Sequence, residues 1–280
     1  MMILAIASLV FASCEKDSND NTERRIDIRT DIEAMNRMPQ LDNDGKGNFS
    51  TGDTFTLTVT GNANHTLKDY TVGQTALYWQ DFNDIAADKV TFAGCYPGHT
   101  EDGSLTFKFN VTSATNADLL LAPAVEVPAY SKTVFMPFRH AMHKLVVKYT
   151  TDGSYTQEAL HDISTTLYAN TTCTVDLSKG IITEHSAEAP ANYAPQNGTD
   201  VSWLVVPQNT DKVKLNISLN GQTCNFTLPE TTTDGQQLTN LEGGKTLTLT
   251  ILVSKNGISF GNIEIGGWEE QGSAEGDIIM

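Results

Sequence analysis

The chain has 280 residues, a hydrophobic content of 39% and a formal net charge of -16, from 34 acidic and 18 basic residues. This length is enough for one large domain or two ordinary domains with a buried core. A surface this acidic repels phosphate backbones and therefore excludes nucleic acid as an expected partner. Threonine, asparagine, serine and glycine are abundant, which is typical of chains that form many short strands joined by turns.

The amino terminus predicts an export signal that ends at a cysteine. Met1–Phe11 is almost entirely apolar and uncharged, too short to span a bilayer but long enough for the apolar part of a signal peptide. Because no basic segment precedes it, we expect the natural start to lie upstream. The small residues Ala12 and Ser13 directly precede Cys14. This pattern resembles the lipobox of bacterial lipoproteins, with Phe11 where leucine is usual.

On this interpretation, residues 1–13 are a signal peptide that is removed, and Cys14 carries the acyl chains that hold the protein on a membrane. The polar residues 14–23 then form a flexible tether. The alternative is an ordinary secretory signal in which the cysteine is incidental.

A strand with one buried face is predicted next. Apolar or small side chains alternate with charged ones over about nine residues, a period of two that is typical of a half-buried strand. The inward set is Ile26, Ile28, Thr30, Ile32 and Ala34. The sequence Asn36–Arg37–Met38–Pro39 ends the strand, and a polar loop follows.

The arginines are concentrated in this first part of the chain. Four of the five lie within the first 37 residues: Arg24, Arg25, Arg29 and Arg37, with Arg139 as the fifth. An arginine-specific protease would therefore find several sites in the leading part and almost none in the body. The alternative is that a short strand of alternating charge happens to use arginine.

The rest of the chain predicts an all-β protein. Strand-like runs are separated by turn signals, and Asn220–Gly221 and Asn256–Gly257 mark hairpin tips. We predict two β-sandwich domains in tandem, residues 24–136 and 137–280, and no long helix. Within the first domain, residues 24–37 form the first strand.

The cysteines and histidines give no sign of an enzyme. Three cysteines lie in segments whose sequence is typical of strands: Cys95, Cys173 and Cys224. We expect them in the core, with a Cys173–Cys224 disulfide as the alternative. His140 and His143 have metal-ligand spacing on a helix, but a strand would place them on opposite faces. We therefore expect packing or surface roles for them.

Two further motifs are weak. His161–Ser164 holds the letters of a catalytic triad, but residues this close on one strand cannot align nucleophile, base and orienting acid. Residues 42–53 partly match a calcium-loop template, with Lys46 at a ligand position and no final glutamate, which favours a solvated loop. We expect no catalysis, no metal and no cofactor.

Several of these pieces together resemble the fimbrillin (Mfa-like) family of pilus subunits and surface lipoproteins of Gram-negative anaerobes. In chain order they are the lipobox at Cys14, the strand that ends at Arg37, Phe49–Val59 (FSTGDTFTLTV), Val90–Pro97 (VTFAGCYP), Ala117–Ala122 (ADLLLA), Met136–Tyr149 (MPFRHAMHKLVVKY) and Ile258–Trp268 (ISFGNIEIGGW). The resemblance implies two β-sandwich domains with transthyretin-like Greek-key topology.

The resemblance also implies a route of assembly by donor-strand exchange. A lipidated precursor reaches the outer membrane, where an arginine-specific protease cuts after Arg37 and the first strand leaves. Its groove, until then filled by Ile26, Ile28, Ile32 and Ala34, accepts a strand from another subunit and so completes the sheet. The expected partners are thus other pilus subunits, the protease and the outer membrane, and the location is the cell surface in a fimbria.

The family's donor is the C-terminal segment. Here that segment is largely polar, and its apolar residues are Ile278, Ile279 and Met280. Stalk, tip and anchor roles therefore stay open. The alternative function is a non-polymerising outer-membrane lipoprotein that binds glycan or host protein, for which Tyr78, Trp79 and Trp203 are candidate contacts unless they pack in the core.

Overall fold

The computed structural model describes residues 24–32, 47–62, 64–85, 88–100, 103–185, 189–254 and 257–267. Residues 42–46 of the calcium-like loop lie outside these residues. So do six of the predicted site residues: Cys14, Ala34, Arg37, Ile278, Ile279 and Met280.

The described chain consists almost entirely of strands. In its first half these are β1 (Arg25–Ile32), β2 (Thr54–Gly61), β3 (Asn64–Thr71), β4 (Leu77–Tyr78), β5 (Lys89–Tyr96), β6 (Thr106–Asn110), β7 (Leu120–Pro128) and β8 (Thr133–His140). In its second half they are β9 (His143–Thr151), β10 (Ser164–Ala169), β11 (Thr172–Asp176), β12 (Ile181–His185), β13 (Ala191–Asn192), β14 (Gln196–Asn197), β15 (Asp200–Val205), β16 (Gln208–Asn209), β17 (Lys214–Leu219), β18 (Gln222–Thr227), β19 (Asn240–Leu241), β20 (Lys245–Ser254) and β21 (Gly257–Gly267).

Helical structure within these ranges is limited to one turn of α-helix, α1 (Gln157–Leu160), and 3₁₀ helices at Trp79–Ile85 and Thr210–Lys212. The prediction of an all-β fold without a long helix is confirmed for the described residues.

The strands form several sheets. The largest has the order β3-β2-β5-β7-β8-β1-β4. The second half forms a four-stranded sheet, β15-β9-β20-β21, and a sheet of order β13-β10-β17-β18 in which β14 also pairs with β10. A three-stranded sheet, β12-β11-β6, combines strands from both halves of the chain.

Two hydrophobic clusters form the core. The first lies among β1, β2, β5 and β8 and includes Ile26, Ile32, Phe55 and Phe138. The second lies mainly among strands of the second half, but also takes residues of the first half such as Cys95. The predicted domain boundary between residues 136 and 137 falls inside β8, and the two-domain division stays a prediction.

The hairpin predicted at Asn220–Gly221 is confirmed. It joins β17 to β18, with Leu219 opposite Gln222. Both tip residues have positive φ, 51° and 79°, the conformation that a two-residue hairpin of this type requires and that Asn-Gly supplies at low cost. Asn256, at the other predicted tip, lies outside the described residues.

The cysteines pack without a disulfide. Cys95 and Cys173 are buried, Cys224 is half-buried, and none of the three forms a disulfide, so the Cys173–Cys224 disulfide is absent. Burial raises the pKa of both Cys95 and Cys173 to about 12, which keeps these thiols protonated and unreactive.

Candidate functional site: the first strand and its groove

Strand β1 is held mainly by one neighbour. It pairs in parallel with β8 over six residues, from Asp27 opposite Thr133 to Ile32 opposite Phe138. On its other side it pairs with the two-residue strand β4, where Ile26 lies opposite Leu77. Among the described strands, the next one along the chain, β2, pairs with β3 and β5 and not with β1.

The inward side of β1 completes the first hydrophobic cluster. Ile26 and Ile32 are 2% and 0% exposed, and Ile28 is half-buried against the same cluster. Burying an isoleucine side chain stabilises a fold by about 1.5–3 kcal/mol. The alternation predicted from the sequence is confirmed over Arg25–Ile32.

Strand β8 supplies the surface that β1 covers. Registered pairs in a sheet share a face, and the inward pairs are Ile28–Val134, Thr30–Met136 and Ile32–Phe138. The three β8 side chains are completely buried. We define the β1 groove as this surface together with the buried Leu77 of β4.

The residues of this groove were not predicted from the sequence. The sequence TVFMPFRH alternates Val134, Met136 and Phe138 with more exposed residues, and this period of two is a signal that could have identified the inward side of β8. The pattern does not identify the neighbouring strand, since β8 lies a hundred residues away along the chain.

The backbone of β8 depends on β1 as well. Over residues 133–138, β1 is the only registered strand partner of β8 within the described chain. Strand β7 reaches β8 only at its end, where Leu120 and Leu121 lie opposite His140 and Arg139. Removal of β1 would therefore leave an apolar trench beside unpaired backbone groups, which are the two requirements of strand addition.

The start of β1 is fixed by a small aromatic group. The Arg24 guanidinium lies 4.5 Å from the centroid of the Tyr130 ring, and the Trp79 backbone N–H donates to the Arg24 carbonyl at 3.0 Å. The Trp79 indole packs against Tyr130 and its Nε1–H donates to the Ser131 carbonyl at 2.9 Å. At the other end, the Ile32 N–H donates to the Gly47 carbonyl at 3.2 Å.

The outward side of β1 is charged and solvated. Arg29 Nε lies 3.1 Å from Asp27 Oδ2, with both side chains more than half exposed. Such a pair contributes little to stability. Retention of β1 therefore rests on its isoleucines and its backbone bonds rather than on these charges.

The candidate aromatic contacts are mostly core residues. Trp79 and Trp203 are each 6% exposed, and Tyr78 is half-buried. Trp203 Nε1–H donates to the Ala194 carbonyl at 3.3 Å. Core packing, rather than an exposed binding surface, is thus confirmed for both tryptophans.

His140 and His143 lie on two successive strands, not on one. His140 ends β8 and its Nδ1 lies 2.8 Å from Asp118 Oδ1, with both groups largely buried. His143 begins β9, and its Nδ1–H donates to the Glu242 carbonyl at 2.9 Å. Both are packed in the interior. His161 and Asp162 of the triad-like motif are exposed.

His143 is expected to make stability depend on pH. Burial lowers its pKa to about 4, against opposing contributions from Glu242, whereas the unfolded imidazole titrates near 6.5. The unfolded chain therefore binds more protons between these values. The contribution of neutral His143 to the free energy of unfolding is fully present above about pH 6.5. It falls by about 3 kcal/mol as the pH drops to 4.

Urea unfolding at pH 7 and pH 4.5 measures this effect. Because carboxylates also titrate in this range, the comparison is with His143→Gln, whose amide can still donate to Glu242. The variant should lose less stability on acidification than the natural chain; equal losses would show that His143 does not titrate in this way.

No helix among the described residues is long and apolar enough to cross a membrane. The same residues contain no group of three or more histidine, cysteine, aspartate or glutamate side chains placed to hold a metal ion.

Comparison with models of protein families shows which family this chain belongs to. The fimbrillin-like family model matches residues 38–268, which is well over half of the sequence. The chain belongs to the fimbrillin-like family. The family implies a cell-surface location and assembly with other pilus subunits, and suggests a structural rather than an enzymatic role.

Solved structures show the same fold as this fimbrillin-like chain. A candidate cell-adhesion protein of Bacteroides uniformis matches with a TM-score of 0.64 and 17% identity, covering 88% of this chain and 100% of that one. A second, from Bacteroides ovatus, matches with a TM-score of 0.59 and 18% identity over 89% and 99%.

A fimbrial protein of Bacteroides vulgatus matches with a TM-score of 0.51 and 12% identity over 88% of this fimbrillin-like chain and 99% of its own. At such identities the likeness extends to the fold alone. No curated protein sequence matches the chain.

Proposed function

We propose that this chain is a structural subunit of a cell-surface pilus that contributes to adhesion and assembles by donor-strand exchange. It is exported as a lipoprotein acylated at Cys14. An arginine-specific protease at the outer membrane cuts after Arg37, β1 leaves, and a strand of another subunit enters the β1 groove.

The observation that carries this proposal is the position of β1. It combines three buried or half-buried isoleucines with six registered pairs to a single strand, yet its covalent link to the following strands is the single segment of residues 33–46. The family match begins at residue 38 and so excludes β1. We expect that such a strand can be exchanged for another while the rest of the subunit keeps its fold.

Arg37 is the favoured cleavage site because the other nearby arginines are held in structure. A protease binds its substrate as an extended, accessible chain. Arg25 and Arg29 lie within β1 and share its pairing, and Arg24 is packed over Tyr130. Arg37 lies five residues beyond the last paired residue of β1.

The incoming strand is proposed to be the C-terminal segment of another copy. Ile278, Ile279 and Met280 are its apolar residues, fewer than the inward side chains of β1. A strand with fewer apolar side chains would fill the groove less completely, so assembly would depend more on its backbone hydrogen bonds to β8.

Cleavage of the chain that begins at Glu15 tests this proposal. This form keeps every described residue, and we call its residues 15–37 the leading segment. Treatment with an arginine-specific protease should give one dominant cut after Arg37 by mass spectrometry, and a ladder of oligomers by gel filtration with light scattering.

Two variants make the result specific. Arg37→Lys keeps the charge but removes the recognised residue, and should stay uncut and monomeric. Ile279→Asp should be cut normally but fail to assemble. A cleaved chain that has lost its leading segment and stays monomeric would overturn donor-strand assembly, and dominant cutting at Arg25 or Arg29 would overturn the assigned site.

A further inference from the structure

The outward side of the β10-β17-β18 sheet is a continuous polar surface. Strand register places Tyr168 beside Asn192 on β13 and Lys214 on β17. In the next row, Thr166 lies beside Asn216, which lies opposite Asn225 on β18. Because registered neighbours share a face, these six side chains project from the same side of the sheet. We call this surface the amide face.

The opposite side of the same strands is core. Leu167, Leu215 and Ile217 are completely buried and belong to the second hydrophobic cluster. The inward side chains of these strands are therefore held by the hydrophobic core, and the amide face is presented on a rigid support. Sites built on strands hold their side chains more accurately than sites on loops.

A shallow cavity of about 330 Å³ lies on the amide face, lined by Thr166, Tyr168, Asn192, Lys214, Asn216 and Asn225. This volume is at the lower end of the range for small-molecule sites. Tyr168 is 37% exposed, which makes it one of the few large hydrophobic side chains exposed in the described chain.

The polar groups around this cavity retain hydrogen-bonding capacity. Asn216 Nδ2 donates to Asn225 Oδ1 at 2.8 Å, which leaves the Asn216 carbonyl and the Asn225 amide N–H groups available. In the part of the chain that the structure describes, the side chains of Tyr168, Asn192 and Lys214 have no hydrogen-bond or ion-pair partner.

The charge of this surface differs from that of the whole chain. The outward positions of the described β10, β17 and β18 are serine, threonine, tyrosine, asparagine and one lysine, without a carboxylate, although the chain carries -16 overall. One lysine is too little for a phosphate backbone. A largely polar surface with a single ring also lacks the apolar centre of a protein interface.

We propose that the amide face binds a neutral oligosaccharide, with one pyranose ring against Tyr168. A pyranose presents a flat C–H surface that packs on an aromatic ring, and a rim of hydroxyls that both donate and accept hydrogen bonds. Asparagine amides offer donor and acceptor atoms side by side, which suits adjacent hydroxyls. Lys214 and Thr166 complete the set of donors, and none of the described residues that line the cavity is a carboxylate.

Binding of defined oligosaccharides to the chain that begins at Glu15 tests this site. An array that contains neutral and carboxylated glycans identifies a binder, and saturation-transfer NMR with that glycan reports which ring contacts the protein. We expect a neutral glycan to bind, with little dependence on salt. Tyr168→Ala should weaken it at least about tenfold, and Tyr168→Phe, which keeps the ring, by less than about threefold.

Thr223→Ala is the matched control, because Thr223 projects from the same face but does not line the cavity; it should bind as the natural chain does. The proposal is overturned if no glycan binds, if only carboxylated glycans bind, or if Tyr168→Ala and Thr223→Ala behave alike. Circular dichroism of each variant separates loss of binding from loss of fold.

The amide face is independent of strand exchange. It lies on β10, β13, β17 and β18, whereas the β1 groove lies on β8 and β4. Glycan binding by the intact Arg37→Lys variant would support the site whatever the outcome of the assembly experiment, and assembly without glycan binding would overturn only the site.

Discussion

Replacing Ile32 with aspartate is expected to lower the free energy of unfolding by about 4 kcal/mol or more. Ile32 is 0% exposed and lies opposite the equally buried Phe138. The substitution removes an apolar side chain from the core and leaves a carboxylate without a buried partner. Urea unfolding of the uncleaved chain measures this loss of stability. After cleavage, β1 should dissociate faster from the variant than from the natural chain.

Phe135→Asp is the matched control for this substitution. Phe135 lies on the neighbouring strand β8 but on its outward side, with 53% of its surface exposed, opposite Arg29. The same change of chemistry should cost there no more than about 1 kcal/mol. Equal costs at the two positions would contradict the placement of β1 in its groove.

Replacing Gly180 with alanine is expected to cost about 3 kcal/mol or more. Gly180 is the last residue of the turn between β11 and β12 and has a φ of +60°. An added Cβ would lie 1.9 Å from the Ala122 carbonyl oxygen and 2.7 Å from its carbon, both backbone atoms of β7. The strand or the turn must therefore shift, and the hydrogen bond from the Ala124 N–H to the Lys179 carbonyl, 2.9 Å, would shift with them.

Gly153→Ala separates the cost of the close contact with β7 from the cost of the positive-φ backbone conformation. Gly153 also has positive φ, +93°, but a Cβ there would meet nothing within 4 Å. It should cost only about 1 kcal/mol, the penalty of the backbone conformation. If urea unfolding gave the same loss for both variants, the close contact between the Gly180 turn and β7 would be refuted.

The sequence predicted local structure better than long-range pairing. The alternation of Ile26, Ile28 and Ile32 specified a strand and its inward side, and Asn220–Gly221 specified a hairpin, because both signals depend on adjacent residues. The parallel pairing of β1 with β8 and the pairing of β6 with β11 join segments that are far apart along the chain, for which the sequence has no local signal.

The same distinction applies to the candidate sites. The placement of the arginines alone points to the leading segment, whereas the groove residues Val134, Met136 and Phe138 are identified only by the register of β1. On the amide face, the β17–β18 hairpin alone would place Asn216 beside Asn225. Tyr168 is recognised as part of the same face only from the pairing of β10 with β17.

The most direct test of strand exchange is hydrogen–deuterium exchange of β8 before and after cleavage at Arg37. Within residues 133–138, where Pro137 has no N–H, the amides that point towards β1 should exchange slowly in the intact chain and rapidly once the leading segment has been separated. They should become protected again when a peptide with the sequence of residues 24–37 is added. Slow exchange in a cleaved chain freed of its leading segment would contradict the claim that β1 alone completes this part of the sheet.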